Sequence, residues 1–308
     1  MLWYILRTFL QLIAVATGVL SLVFVLIFLT SDPVALLAPL DASPEDREIL
    51  REQLGLNDPL AVQYWRYMKR TIGGDFGKSV RMGQSALPLV LERVPATVEL
   101  GTSGLLIAAL VGVSIGILSA IRRDTWIDAL GRFLALGSQA MPTFWLGLML
   151  IIIFAVKLRV LPAFGRGEIS HLIMPAVTLA TYNIPIILRI TRSAFIEVIH
   201  QDYIRTARAK GVPENVITFQ HILRNAAIPI VTVLGMNFGW MLAGAIAVET
   251  VFSWPGIGYF TLQAIFLGDY PVVMASTVIL VMGVVIVNFL TDLTYGFLDP
   301  RIRYWGKK

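Results

Sequence analysis

Long apolar runs alternate along the chain with short polar ones. Six segments stay apolar for about 20 residues each, near Phe9 to Leu29, Val98 to Ala120, Leu134 to Val156, Leu172 to Ile190, Ile228 to Val251 and Val272 to Thr294. At 1.5 Å rise per residue, a run of about 20 crosses a hydrocarbon core of roughly 30 Å. The pattern predicts an all-α integral membrane protein with six transmembrane helices. Arg7 precedes the first run as in a signal peptide. That run exceeds an h-region of about 7 to 15 residues and no clear A-x-A site follows, so it reads as a retained span.

The polar intervals divide the chain into a first span (1–30), an insert (31–97), a core with five spans (98–296) and a tail (297–308). The insert has helix signals of its own. Ser43-Pro44-Glu45-Asp46 opens a helix with a cap, a proline at the first position and early acids, and Leu54-Gly55 closes it. Asp58-Pro59 opens a second helix running toward Ile72, with Leu60, Tyr64, Trp65 and Met68 as its apolar positions. These helices are expected to rest on the outer face of the bundle. Their aromatics serve either packing or contact with a soluble partner.

Between the fourth and fifth spans lies the most informative interruption, Asp202-Tyr203-Ile204-Arg205-Thr206-Ala207-Arg208-Ala209-Lys210-Gly211. It reads as a short helix with Asp202 as N-cap and Gly211 as a left-handed C′ residue. Helices under roughly 12 residues are marginal alone in water, so this one needs a packing partner, its own flanks or another polypeptide. Arg205 and Arg208 fall three apart and share a face.

Composition supports the membrane class. The 308 residues are 56% hydrophobic and only 15% charged, with mean hydropathy +0.75, whereas soluble domains carry about 25% charged residues. Fourteen Lys and Arg fall on the side carrying the N-terminus, while the short loops opposite hold only Lys157, Arg159 and Arg166. The bias puts both termini and the Asp202 to Gly211 segment in the cytoplasm. The net charge of +5 follows from the same asymmetry and calls for no nucleic acid. Without cysteine there is no disulfide or thiol chemistry.

Catalytic signatures are missing. Gly73-Gly74-Asp75-Phe76-Gly77-Lys78-Ser79 superficially resembles a phosphate-binding loop, but Ile72 stands where the motif needs glycine, and the segment is expected outside. H-E-x-x-H and G-x-S-x-G are absent, and His171, His200 and His221 are scattered, so no catalytic residue or metal site is assigned. Within the spans, Gly104, Ala108, Gly112, Gly116 and Ala120 place a small residue at every fourth position, and Gly235 and Gly239 repeat the spacing. Such stripes let helices approach closely, either inside this subunit or against a second one. Pro142, Pro175, Pro185 and Pro229 interrupt or border spans. Glu99 and Glu249 lie near outer span ends and Asp292 near an inner one; the middle of the membrane holds no acid, which argues against an ion-driven carrier. Gln139, Asn183, Asn237, Glu249 and Asn288 are the candidates to line a polar pathway, with interhelical hydrogen bonding as the plainer role for each amide.

Together with His221-Ile222-Leu223-Arg224-Asn225-Ala226-Ala227-Ile228-Pro229, the 202–211 segment resembles the coupling-helix signature of ATP-binding-cassette importer permeases. It is most similar to the first permease subunit of the dipeptide, oligopeptide, nickel and glutathione branch. Leu54-Gly55-Leu56-Asn57-Asp58-Pro59-Leu60, Gly74-Asp75-Phe76-Gly77-Lys78-Ser79, Phe252-Ser253-Trp254-Pro255-Gly256-Ile257-Gly258, Asp269-Tyr270-Pro271-Val272 and Asp299-Pro300-Arg301-Ile302-Arg303-Tyr304 agree with that branch. Arg205 and Thr206 replace the Glu and Ala of the general importer pattern, a variant usual in the branch. The resemblance implies the type I importer permease fold, with the insert outside the cell and the protein in the bacterial inner membrane. It implies a homologous permease as heterodimer partner, two cytoplasmic ATPases and an extracytoplasmic solute-binding protein. It also implies that Asp202, Tyr203, Arg205, Thr206, Ala207, Arg208, Ala209, Lys210 and Gly211 couple to those ATPases. This chain would bind no cofactor; ATP and Mg would be consumed by the partners. Peptides are the expected solute, glutathione or a nickel chelate the alternatives, and a membrane scaffold or receptor without transport the alternative of another class.

Overall fold

The computed structural model describes residues 2–30, 43–53 and 56–298. Leu54 and Gly55, expected to end the first insert helix, and the tail motif from residue 299 onward lie outside the described residues. Among the described residues the regular elements are all helical, joined by turns, with one isolated bridge, Lys78 to Ser85. In chain order the helices are α1 (Leu2–Thr30), α2 (Pro44–Gln53), α3 (Leu60–Ile72), α4 (Ala86–Leu91), α5 (Val94–Ile121), α6 (Trp126–Ala140), α7 (Thr143–Leu150), α8 (Ile169–Ile199), α9 (Asp202–Ala209), α10 (Glu214–Val216), α11 (Leu223–Val251), α12 (Ile257–Phe266) and α13 (Tyr270–Leu298). Two π-helical segments, Ile151–Lys157 after α7 and Ile217–Ile222 before α11, complete the order.

Four stretches are long and apolar enough to cross a membrane, Ala86–Ile121, Ile169–Ile199, Glu214–Leu242 and Tyr270–Thr291. The expected third span, Leu134 to Val156, is not one helix. It is broken between α6 and α7, and the two arms differ in direction by 97°. Pro142 explains the break. Its ring drives the preceding Met141 to extended backbone (φ −90°, ψ 124°), and it opens α7 with no N–H to donate. Counted as one bent span, the pair is the fifth; within α1, the apolar run Ile13–Val25 is too short by itself to count.

The chain divides into two compact units, one of residues 96–256 and 283–298, the other of 2–95 and 257–282. In the first, α5 packs along α8 through its small residues. A Cβ on Gly112 would sit 2.9 Å from Ile187, and one on Gly116 only 2.7 Å from Thr191 Cβ and 2.9 Å from the Leu188 carbonyl. Gly104 meets Leu179 of α8 and Met241 of α11 in the same way, while Gly235 and Gly239 of α11 face Thr291 and Val284 of α13. Both stripes are therefore used inside this chain. α6 is tied to α8 by an ion pair: Arg192 donates through Nε and a terminal nitrogen to both oxygens of the fully buried Asp128, each at 2.8 Å. A planar guanidinium matches a carboxylate in this two-pronged fashion, and the geometry offsets the cost of removing the charges from water.

Toward the other end of this unit, Trp254 and Phe252 are buried with Leu100, Met174 and Val248. The indole N–H of Trp254 donates to the Ala96 carbonyl at 2.8 Å, and the Thr97 hydroxyl donates to Glu249 at 2.7 Å. Arg166 pairs with Glu99 and lies over the Trp254 ring.

The second unit holds the insert. α2 begins as expected: Ser43 Oγ accepts from the Asp46 amide, and the Asp46 carboxylate accepts from the Ser43 amide, both at 3.1 Å. The Ser43 hydroxyl also donates to the Asp46 carboxylate at 2.7 Å, and this bond, with that from the Ser43 amide, holds the carboxyl below its ordinary range. α3 leans on α1 through Tyr64, whose hydroxyl is 2.7 Å from Ser21 Oγ and whose ring meets Phe24 edge-on. Met68 is buried, whereas Trp65 and Leu60 are exposed. The glycine-rich segment after α3 is a turn, with Gly74 and Gly77 at φ of +81° and +90°. Arg70 and the Gly77 amide both donate to Asp75 there, holding its carboxyl below the usual range. Ser79 then donates to buried Asp269 at 2.5 Å, joining this turn to the segment that opens α13.

Gly116→Ala is expected to destabilise the protein by about 1–3 kcal/mol, because the added methyl meets backbone as well as side chain. Gly137→Ala, where no atom lies within 4 Å of the new Cβ, should not lower stability. Thermal unfolding of both variants in detergent tests this; equal midpoints would contradict the packing described.

Candidate functional site

The 202–211 segment folds as the eight-residue helix α9 and sits between α8 and α10. Its N-cap differs from expectation. Gln201 takes the extended cap conformation (φ −74°, ψ 145°) and its carbonyl accepts from the amides of Ile204 and Arg205, so Asp202 is the first helical residue. There its carboxylate faces the positive end of the helix dipole. The difference arises because the chain leaves α8 through a single turn at His200 and needs an extended residue one position earlier.

The C-terminus is as expected and more fully built. Gly211 has φ +75°, its amide donates to Arg208 at 3.0 Å, and the Val212 amide reaches back to Ala207 at 3.2 Å. This pair of bonds is a Schellman motif, which satisfies carbonyls that the helix end leaves open. Thr206 adds a bond from its hydroxyl to the Asp202 carbonyl at 3.0 Å.

Only one side of α9 is held by the chain. Ile204 is fully buried in a cluster with Ala194 and Phe195 of α8, Ile217 and Ile222 of the π-helical segment and Ala226 of α11; Ala207 and Val212 pack against the same cluster. The remaining residues, Asp202, Tyr203, Arg205, Thr206, Arg208, Ala209, Lys210 and Gly211, are exposed. Arg208 is engaged sideways, donating to Glu214 through Nε at 2.7 Å, and that carboxylate raises the arginine further above its ordinary pKa. Arg205 has no acidic partner among the described residues. The result is a short, capped helix with an apolar keel in the bundle and an open basic and aromatic face.

The pathway candidates are not gathered into one place. Glu249 has no exposed surface and accepts from Thr97. Asn183 is buried and donates to the Leu179 carbonyl of its own helix at 3.1 Å, the bland role open to any lone amide. Asn237 is buried, and its Nδ2 has no partner among the described residues. Gln139 is half-buried at the end of α6, whereas Asn288 is exposed and lies beside Gly239. The Asp292 side chain lies outside the described residues.

Several residues that hold the site lie outside the candidates the sequence offered. Ile204 is the keel, Val212 completes the cap, and Glu214 and Asp128 fix two arginines. The three-residue spacing of Ile204 and Ala207 hints at the keel; the Asp128 to Arg192 pairing spans 64 positions and leaves no local trace.

The described residues form an apolar helical bundle that exposes one capped helix between two spans, the architecture of a multi-pass membrane protein. The protein belongs to the family of binding-protein-dependent transport system inner membrane components, whose model matches residues 112–304, with the N-terminal model of the same systems matching 1–101. It is 39% identical to the dipeptide transport system permease protein DppB of Alkalihalophilus pseudofirmus, an alignment that covers 99% of this chain and 100% of that protein. It is also 39% identical to the glutathione transport system permease protein GsiC of Salmonella paratyphi A and 37% identical to that of Escherichia coli K12, with the same coverage. Among solved structures it shares its fold with the MetNI methionine ABC transporter in inward-facing conformations, with TM-score 0.60 and 19% identity over 68% of this chain and 96% of that one. An amino acid ABC transporter matches with TM-score 0.54 and 17% identity over 67% of this chain and 92% of the other. The chain is thus an ABC importer permease of the dipeptide and glutathione branch.

Ile204→Ala should cost roughly 2–5 kcal/mol, the usual range for deleting a fully buried isoleucine. Faster hydrogen exchange confined to α9 and its flanks is the expected readout. Unchanged exchange there would show that the keel does not hold the helix.

Proposed function

We propose that the protein is the non-catalytic permease subunit of an ATP-driven importer for short peptides, with α9 seated in a surface cleft of a cytoplasmic ATPase. The observation that carries this reading is the one-sided burial of α9: Ile204 anchors it to the bundle and its other faces are open. A homologous permease completes the pathway, two ATPases take the coupling helices, and an extracytoplasmic binding protein delivers the solute. The excess of Lys and Arg beside α9 supports a cytoplasmic location for it and for both termini.

The packing suggests how force passes. When the ATPases close, α9 is displaced; Ile204 and Ala207 share one cluster with the ends of α8 and α11, so these helices follow. Such clusters have discrete packings, which suits alternation between inward-open and outward-open states. Hydrolysis and Mg binding stay with the partners.

Glutathione is the second reading, supported by full-length 39% identity to a glutathione permease. It is itself a small peptide, so the two readings differ in solute and share the mechanism. Uptake of labelled dipeptide and of labelled glutathione into proteoliposomes holding the complete importer separates them. ATP-dependent uptake of neither, with partners bound, would favour a scaffold.

Gly211→Val tests the lever. Nothing lies within 4 Å of a new Cβ, so the substitution acts through the positive φ alone, at about 1–2 kcal/mol. The expected result is ATP hydrolysis retained and uptake reduced severalfold. Normal uptake by this variant would defeat the proposed role of the cap.

A further inference from the structure

A cavity of about 510 Å³ opens beside α9, walled by the ends of α5 and α8 and by the π-helical segment. Its lining changes character in one direction on each wall. On α5 the apolar Ile117 and Ile121 give way to Arg123; on α8, Ile196 and Ile199 give way to His200; on the third wall, Phe219 and Ile222 give way to Asn215 and Glu214. α5 and α8 run parallel, Gly104 facing Leu179 and Gly116 facing Thr191, so these two walls change from hydrocarbon to polar groups toward the same end. A free anion would leave the apolar part unfilled, and an alkyl chain would leave the polar end unmatched.

The polar end has a defined charge. Arg208 is taken up by Glu214, and His200 Nδ1 is bonded to the Ile196 carbonyl, leaving its Nε2 for another partner. Among the described residues Arg123 pairs with Asp124, through Nε at 3.3 Å, with both side chains more than half exposed, so its terminal nitrogens face solvent. Phe219 and Ile121 stand exposed at the apolar rim, next to Ile199 and Ile222. The cavity thus pairs an apolar slot with one available guanidinium at the level where α5 ends.

We propose that this cavity is a binding site for one glycerophospholipid, its phosphate held by Arg123 and an acyl chain lying between Ile121, Ile199 and Phe219. Because the walls are the ends of α5 and α8 and the π-helical segment, the lipid bridges elements that share the α9 cluster. The site is independent of which solute the importer carries.

The test is native mass spectrometry of the full-length chain, extracted from membranes in mild detergent, stripped of lipid and titrated with dioleoyl phosphatidylglycerol. One lipid should bind ahead of the weaker non-specific population. Arg123→Glu and Phe219→Ala should each lower occupancy by that first lipid at least tenfold, Arg123→Gln should lower it less, and Lys157→Glu, at the end of the other π-helical segment and outside the cavity, should leave it unchanged. Millimolar inorganic phosphate should not displace it. Equal occupancy in wild type, Arg123→Glu and Phe219→Ala would overturn the assignment. Displacement by inorganic phosphate would do so too, since it would identify an anion site without an acyl slot.

Discussion

Everything in the first unit depends on how closely α5 approaches α8. In lipid, two apolar helices gain nothing by leaving the solvent, because the solvent is apolar; what they gain is dispersion contact, and that requires near-touching backbones. Gly112 and Gly116 permit this against Ile187 and Thr191. The position of α8 then determines three other things: where Arg192 meets Asp128, where Phe195 meets Ile204, and where the chain turns into α9. A helix of eight residues such as α9 could not be held in place by its own bonds. Its geometry is inherited from a contact made deep in the spans.

Much of this could be read from the sequence, and the parts that could not share a physical cause. The apolar runs, the capped start of α2 and the left-handed Gly211 are properties of a few neighbouring residues, so local rules recover them. Pro142 marked an interruption, but the 97° change of direction was hidden because hydropathy stays high across it; composition measures length in the membrane and says nothing of direction. The glycine stripe on α5 announced a close neighbour without naming it, since a missing side chain has no partner written into it. Asp128 looked like an ordinary first-turn acid. Its role depends on a residue from another helix, and only the packed structure brings the two together.

The 202–211 segment shows the same division within ten residues. Its polar letters pointed to the family, whereas the residue that secures the helix, Ile204, is apolar and ordinary in sequence. Misplacing the N-cap by one residue follows from the same limit. Asp202 has the right chemistry for a cap, but the choice between Gln201 and Asp202 was made by the exit of α8, which is a tertiary fact. The pathway candidates were the least legible, because a lone amide in a span has the same letter whether it faces water or bonds to its own helix, as Asn183 does.

One-sided attachment of α9 separates two kinds of information that most interfaces mix. The side chains that fasten α9, Ile204 and Ala207, are not those it exposes, so the outward set can change without loosening the inward one. On the reading proposed above, a partner's address is written on one face of α9 and the anchorage on the other, so that pairings could change while the attachment to the bundle stays intact.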